Sequence, residues 1–330
     1  MSEKSNAAKT AGKVWIGVDI GGTKTAVVLC FQPPAIVDRV TFPTLPERGP
    51  DHALTMIQQA IHRMIQTHEL HPGQIDAIGI SCGGPLDRKR GLIQSPPNLP
   101  TWNNLPIVDI LRDEFNVDCR LENDANAGAV AEHRFGAGQG VQNMIFLTMG
   151  TGLGAGLILG GRLYRGSSDM AGEIGHVRLT ASGPVGYRKA GSVEGWASGG
   201  GMAQVATKRV AAAMKKGEAT SLVAQLSTNR MLTAKDVADA AQLGDELARQ
   251  IVSSTGTRLG ETLAVLVDLL NPELIAIGGI AMRMGEALLE PARAAMKREA
   301  LSAAAEACRI VPAALGERIG DIAAVCVAMG

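Results

Sequence analysis

The sequence predicts an α/β protein organised as two lobes, and three features carry that expectation. At 330 residues the chain exceeds the roughly 250–300 residues over which one hydrophobic core keeps growing. A unit of apolar strand, glycine-rich turn and second apolar strand occurs twice, at Val14 to Leu29 and again at Met144 to Leu159. Between and after these hairpins, short apolar strands that end in glycine alternate with helical patterns. A composition of 46% hydrophobic residues with 40 Gly fits a folded chain rich in turns and excludes a disordered one.

In the first hairpin, Val14 to Val18 and Ala26 to Leu29 flank Asp19-Ile20-Gly21-Gly22-Thr23-Lys24-Thr25. Adjacent glycines supply the positive φ values of a tight turn. Because Gly21 and Gly22 carry no side chains, an anion can approach main-chain N–H groups, while Thr23 and Lys24 add a hydroxyl and a cation. The turn reads either as a phosphate cradle or as a plain Gly-Gly hairpin capped by Asp19. In the first reading Asp19 would repel a polyphosphate unless a cation such as Mg2+ lay between them, so Asp19 implies a metal.

The elements follow in order. Asp51 to Thr67 has apolar residues at helical spacing, and His52, His62, His68 and His71 fall on its polar face or just beyond, where they read as solvated surface. Asp76 to Ser81 is a buried strand running into Cys82-Gly83-Gly84-Pro85. The Pro-rich run Ser95 to Asn103 is an ordered loop. It is either a connector or a carbohydrate contact made through Asn98 and Trp102. Ile107 to Phe115 reads as a helix and Val117 to Leu121 as a strand leading into Glu122-Asn123-Asp124-Ala125-Asn126 and an Ala-rich helix. Asp124 at that helix N-terminus is an N-cap whose ionised form the helix N–H groups favour. It can also accept a proton from a substrate hydroxyl that Asn123 orients.

The second hairpin is read as strand Met144 to Met149, turn Gly150-Thr151-Gly152-Leu153-Gly154-Ala155-Gly156, and strand Leu157 to Leu159. Two such turns could grip one phosphate chain from both sides. Glycine at every second position is not GxGxxG, and no GxxxxGK[ST] occurs, which argues against dinucleotide and P-loop folds. Glu173 and His176 lie in a glycine-bounded turn, as two ligand groups or as unrelated surface residues, and the loop 183–194 ends in Glu194. Ser198 to Asn271 is mostly helical, Leu274 to Ile277 is a strand meeting Gly278-Gly279, and Ile319 to Met329 is an apolar helix expected to pack between the lobes.

Lys plus Arg balances Asp plus Glu at 32 each, so no electrostatic footprint for nucleic acid or an anionic membrane exists. The polar tail 1–12 lacks the apolar core of a secretory signal, and no run of about 18 apolar residues occurs. Five scattered cysteines without CxxC spacing read as buried free thiols in a reducing cytoplasm.

Taken together, Asp-Ile-Gly-Gly-Thr-Lys (19–24), Glu-Asn-Asp-Ala-Asn (122–126), Gly-Thr-Gly-Leu-Gly-Ala-Gly (150–156), Glu-Ile-Gly-His (173–176), Glu194 and Ile-Gly-Gly (277–279) resemble the motifs of the ROK family, in order along nearly the whole chain. The resemblance implies two ribonuclease-H-like α/β lobes (13–124 and 125–330, with the helix at about 316–330 packing back on the first) around a cleft that closes on sugar and ATP. It implies Asp124 as general base toward a hexose hydroxyl, O6 by expectation. Asn123, Glu173, His176 and Glu194 would hold the sugar, with Gly84 and Asn98 as further contacts. Gly21, Gly22, Thr23, Lys24 and Gly150, Thr151, Gly152 would hold phosphates, Asp19 would hold Mg2+ directly or through water, and Gly278 and Gly279 would border adenine and ribose. A cytoplasmic homodimer is implied as well.

One departure stands out. Many members carry three zinc-binding cysteines before the position of Glu194, and this chain has Val185, Tyr187 and Ser192 there. None is a zinc ligand, so no structural zinc is expected and packing should hold the loop. Glucose is the first expected substrate, with fructose, mannose, allose or an N-acylhexosamine as alternatives. The family's DNA-binding repressors need a helix-turn-helix that the dozen residues before the first strand are too short to form. A noncatalytic sugar sensor is the alternative of another class.

Overall fold

A computed structural model describes residues 13–71, 73–227 and 231–330; the tail 1–12 lies outside them. The chain divides into two compact units. One comprises the described residues up to Ala127 together with Gly320–Gly330, the other Gly128–Ile319.

In the first unit β1 (Val14–Ile20), β2 (Lys24–Gln32) and β3 (Ala35–Pro43) form an antiparallel meander, and β4 (Ile75–Cys82) pairs parallel to β1. A short ribbon, β5 (Leu86–Asp87) and β6 (Leu92–Ile93), follows, and β7 (Asp118–Asn123) completes a sheet of order β3-β2-β1-β4-β7. Helix α1 (Pro50–Thr67) starts with Pro at its first turn, where a missing N–H costs nothing. It buries Ile57, Ile61 and Met64 in one core with Val18, Leu29 and Ile80 of the sheet. Helix α2 (Ile107–Phe115) adds Ile107 and Leu111 to that core. Trp102 is fully buried there too, which corrects its reading as a sugar-stacking group: the loop 95–103 turns the indole inward because a large apolar ring gains most from leaving water. Of the histidines read as solvated, His62 is exposed beside Glu114, whereas His68 is half-buried against Asp38 at 3.0 Å.

Helix α3 (Asp124–Phe135) leads into the second unit. There β8 (Met144–Met149), β9 (Leu153–Leu159) and β10 (Arg162–Tyr164) form a meander. After the ribbon β11 (Val185–Gly186) and β12 (Lys189–Ala190), β13 (Leu274–Gly279) and β14 (Arg309–Pro312) add parallel strands, giving the order β10-β9-β8-β13-β14. Both sheets therefore share one topology. The second turn is shorter than its glycines suggest, because Met149 already pairs with Leu153 and the ladder continues through Gly154 and Gly156. Only 150–152 turn. Helices α4 (Val193–Ala197), α5 (Gly199–Lys216), α6 (Leu222–Ser227), α7 (Ala234–Gln242), α8 (Glu246–Leu270), α9 (Ile280–Met284), α10 (Glu286–Glu299) and α11 (Ser302–Ala307) complete the unit.

The last helix, α12 (Ile319–Met329), lies on the first unit's sheet. A Cβ on Gly79 of β4 would fall 2.2 Å from Ala324 O, so only glycine admits the helix backbone at this depth. Arg39 Nε bonds Asp321 at 2.7 Å, and Arg120 Nη1 donates to Ala328 O at 2.7 Å. All five cysteines are buried free thiols. Among the described residues, no helix is long and apolar enough to cross a membrane.

Candidate active site

The first glycine turn is tied down by its carbonyls. Thr44, fully buried, donates from Oγ1 to Gly21 O at 2.6 Å and from its N–H to Thr23 O at 3.1 Å, and its hydroxyl also meets Thr25 Oγ1 at 2.9 Å. Gly21 N–H closes the turn on Lys24 O. Among the described residues, the N–H groups of Gly22 and Thr23 have no acceptor, which leaves them available to an anion. Asn98 packs on this turn, since a Cβ on Gly22 would lie 2.5 Å from Asn98 Cβ.

Asp19, two residues before the turn, pairs in register with Ser81 of β4, whose hydroxyl favours its ionised form. A Cβ on Gly320 of α12 would lie 2.2 Å from Asp19 Oδ2, so the carboxylate sits against the start of that helix. Burial, then the charges of Asp124 and Asp321, push its pKa to about 6, against the opposing pull of Ser81 and Lys24. A carboxylate this reluctant to stay ionised is suited to a cation. Among the described residues no group of three or more His, Cys, Asp or Glu could hold a metal by itself, so a divalent ion on Asp19 would complete its shell with water and phosphate oxygens.

At the end of β7, Asn123 Oδ1 accepts from the N–H groups of Ala125 (3.0 Å) and Asn126 (3.3 Å) and caps α3, which leaves its Nδ2 as a donor. Asp124 Oδ1 accepts from Ala125 N–H at 2.8 Å. A Cβ on Gly84 would lie 3.5 Å from Asn123 Nδ2, and one on Gly83 would lie 3.9 Å from Asp124 Oδ2. These four residues therefore meet. Asp124 is an exposed residue, yet the protein packed around its carboxylate raises its pKa, and hydrogen bonds from the helix's first N–H groups only partly offset this. The helix N–H groups favour the ionised form, as the sequence predicts, but desolvation outweighs them and the net shift is upward.

In the second unit, the N–H groups opening α5 anchor the other turn: Gly199 donates to Gly150 O at 2.7 Å and Gly200 to Thr151 O at 3.0 Å. Glu194 Oε2 accepts from Leu153 N–H at 3.2 Å and would lie 2.7 Å from a Cβ on Gly152, which sets it directly beside the turn. Glu173 and His176 flank a short 3-10 turn, with Oε2 and Nε2 3.9 Å apart. Gly278 and Gly279 end β13, and Gly279 takes φ 72° against Met149 O.

Sequence reasoning missed Thr44, Ser81, Gly320 and the α5 glycines. No local pattern marks them, because each acts on a residue 20 or more positions away.

The ROK family profile matches residues 15–329. The glucokinase of Halalkalibacterium halodurans is 34% identical over 93% of this chain and 92% of its own length. The xylose repressor of Caldicellulosiruptor bescii is 30% identical over 86% of this chain and 70% of its own. The structure of a ROK family glucokinase from Streptomyces griseus in complex with glucose and AMPPNP superposes with TM-score 0.78 at 31% identity, covering 96% of this chain and 99% of that one. With matching motifs, two ribonuclease-H-like sheets of the actin-like ATPase fold and relatives that align along nearly its full length, the chain belongs to the ROK family.

Proposed function

We propose that this protein is an ATP-dependent sugar kinase that transfers the γ-phosphoryl group of ATP to O6 of a hexose, glucose before fructose, mannose, allose or an N-acylhexosamine. The observation that carries the chemistry is Asp124: an exposed residue at the head of α3, held at Oδ1 by Ala125 N–H and facing Gly83 with Oδ2, so that its carboxylate can accept the proton of a substrate hydroxyl. It takes the hydroxyl proton as the sugar oxygen bonds to the γ-phosphorus and the bond to the bridging oxygen breaks, releasing ADP.

Asn123, fixed by capping α3, directs its Nδ2 to a sugar hydroxyl, with Gly84 beside it and Asn98, which packs on Gly22, as a further contact. Glu173, His176 and Glu194 hold the remaining hydroxyls. Phosphate oxygens fall to the N–H groups of Gly22, Thr23, Thr151 and Gly152 with Lys24, in turns that the N–H groups of Gly21 and Gly150 close on Lys24 O and Gly152 O, and Gly278 and Gly279 border adenine and ribose. Mg2+ fits Asp19, and when bound it neutralises charge on the β- and γ-phosphates. The same reading makes the protein a cytoplasmic homodimer, supported by its buried free thiols and by the prevalence of twofold assemblies.

The test is ADP release with Mg-ATP against a panel of hexoses and N-acetylhexosamines, with Asp124→Asn alongside. Turnover of one sugar, lost in the variant, is the expected outcome. A sugar that binds by calorimetry without raising ADP release would replace the kinase with a sensor, a reading to which the repressor relative lends support.

A further inference from the structure

The ribbon β11–β12 lies outside the phosphate-binding machinery, yet it packs on two of the sugar-side groups of the second unit. Gly186 rests on the first turn of α4, where a Cβ would fall 2.7 Å from Glu194 Cβ and 2.6 Å from Gly195 N. The next residue, Tyr187, stands edge-on to the ring of His176, with centroids 4.8 Å apart and planes at 78°. From the return strand, Lys189 Nζ donates to His176 O at 2.6 Å. One short ribbon thus grips both the ring and the backbone of His176 while touching the helix that carries Glu194.

The tip of the ribbon shows that this placement is imposed. Tyr187 and Arg188 take φ of 39° and 65°, a two-residue turn that usually belongs to Asn and Gly. Side chains adopt such values only where surrounding contacts require them. Tyr187 is 54% exposed, so hydrophobic burial does not account for its position. The base of the ribbon is braced instead. Arg178 Nη1 donates to Ala190 O at 2.6 Å, Leu179 and Thr180 N–H both donate to Gly191 O, and Ser192 Oγ caps α4 by accepting from Gly195 N–H at 3.1 Å.

We propose that Tyr187 is a positioning residue for His176, and that the ribbon sets the relative placement of His176 and Glu194 on which discrimination among hexose epimers depends. The functional half of this inference rests on the sugar-kinase reading; the structural half does not.

The experiment separates the two. The six histidines are labelled with 13C and the His176 ring signal is assigned with His176→Asn. Tyr187→Leu is expected to move that signal and Tyr187→Phe to leave it in place; an unmoved signal in the Leu variant overturns the proposal. In kinetics, Tyr187→Leu raises KM for the sugar roughly three- to ten-fold, the scale of one lost aromatic pair, and narrows the ratio between epimers. KM for ATP stays put and Phe restores the wild-type values. An unchanged sugar KM overturns the functional half. If the wild type phosphorylates no sugar, the kinase reading falls, and calorimetry decides: Tyr187→Leu must then weaken sugar binding, and equal affinity or no binding at all overturns the role in recognition.

Discussion

The turn after β1 and the turn after β8 occupy the same place in two sheets of the same order, yet different chemistry holds them. In the first, one buried threonine, Thr44, takes up the carbonyls of Gly21 and Thr23. In the second, the N–H groups that open α5 take up those of Gly150 and Thr151, and Glu194 takes Leu153 N–H. The strands differ in charge as well. The residue two places before the first turn is Asp19, with its pKa pushed to about 6, and the matching residue of β8 is Thr148. A repeated topology thus supplies two similar backbone cradles, while the side chains around them divide the labour. One turn has the buried carboxylate of Asp19 behind it; the other has the carboxylate of Glu194 beside it and the start of α5 beneath it.

The largest expected effect lies outside both turns and shows what they do not do. Asp124→Asn should lower kcat by about 10³-fold, within the range of a lost general base, while calorimetric affinities for sugar and nucleotide change by roughly two-fold or less. Parallel losses in affinity would mean that Asp124 serves binding, and the division between turns and base would fail.

The next prediction breaks the symmetry between the turns. Asp19→Asn should cost about 100-fold in kcat, because a group that positions charge on the phosphates is lost. In metal-free buffer it should also stabilise the fold. A folded-state pKa of about 6 against 3.8 means that ionising Asp19 destabilises the native state progressively between those pH values and fully above the upper one. The variant should therefore exceed wild type by up to roughly 3 kcal/mol at pH 8, a margin that shrinks to nothing near pH 4. Thr148→Val should show no such pH dependence. Thermal melts of the three proteins in EDTA from pH 4 to 8 decide the matter.

Gly200→Ala probes the second anchor, since its Cβ would lie 2.8 Å from Thr151 O. Displacing that carbonyl should raise KM for ATP about ten-fold, even though Ala ordinarily favours a helix over Gly by about 1 kcal/mol. An unchanged KM would show that the α5 terminus does not hold the turn in its working shape. The smallest effect is expected from Thr44→Val, which leaves Gly21 O without its hydroxyl donor in a buried setting. Stability should fall by about 1–2 kcal/mol, read by urea titration, and KM for ATP should rise only a few-fold.

Much of this architecture is legible in residue order. The helices at 51–67 and 107–115 and the closing helix Ile319 to Met329 follow from apolar spacing, and both hairpins follow from glycines between apolar runs. These features are local: a turn, a strand or an amphipathic face is decided by residues a few positions apart. Where local reasoning failed, a tertiary term outweighed a local one. Trp102, among prolines and polar residues, read either as part of a connector or as a carbohydrate contact, and core burial of the ring rules out the second. Asp124 looked favoured as an anion because it opens a helix, but desolvation exceeds the pull of the N–H groups.

The sequence by itself determined the family, the repeated hairpins and the residue types available for phosphoryl transfer, because these reside in short contiguous motifs. The tertiary structure alone decided which partners tune them. Thr44 on the first turn, Gly320 and Ser81 around Asp19, α5 beneath Gly150 and Thr151, and Tyr187 against His176 are brought together by folding. A carboxylate's proton affinity and a ring's orientation depend on everything within a few ångströms, and chain separation says little about which atoms those are.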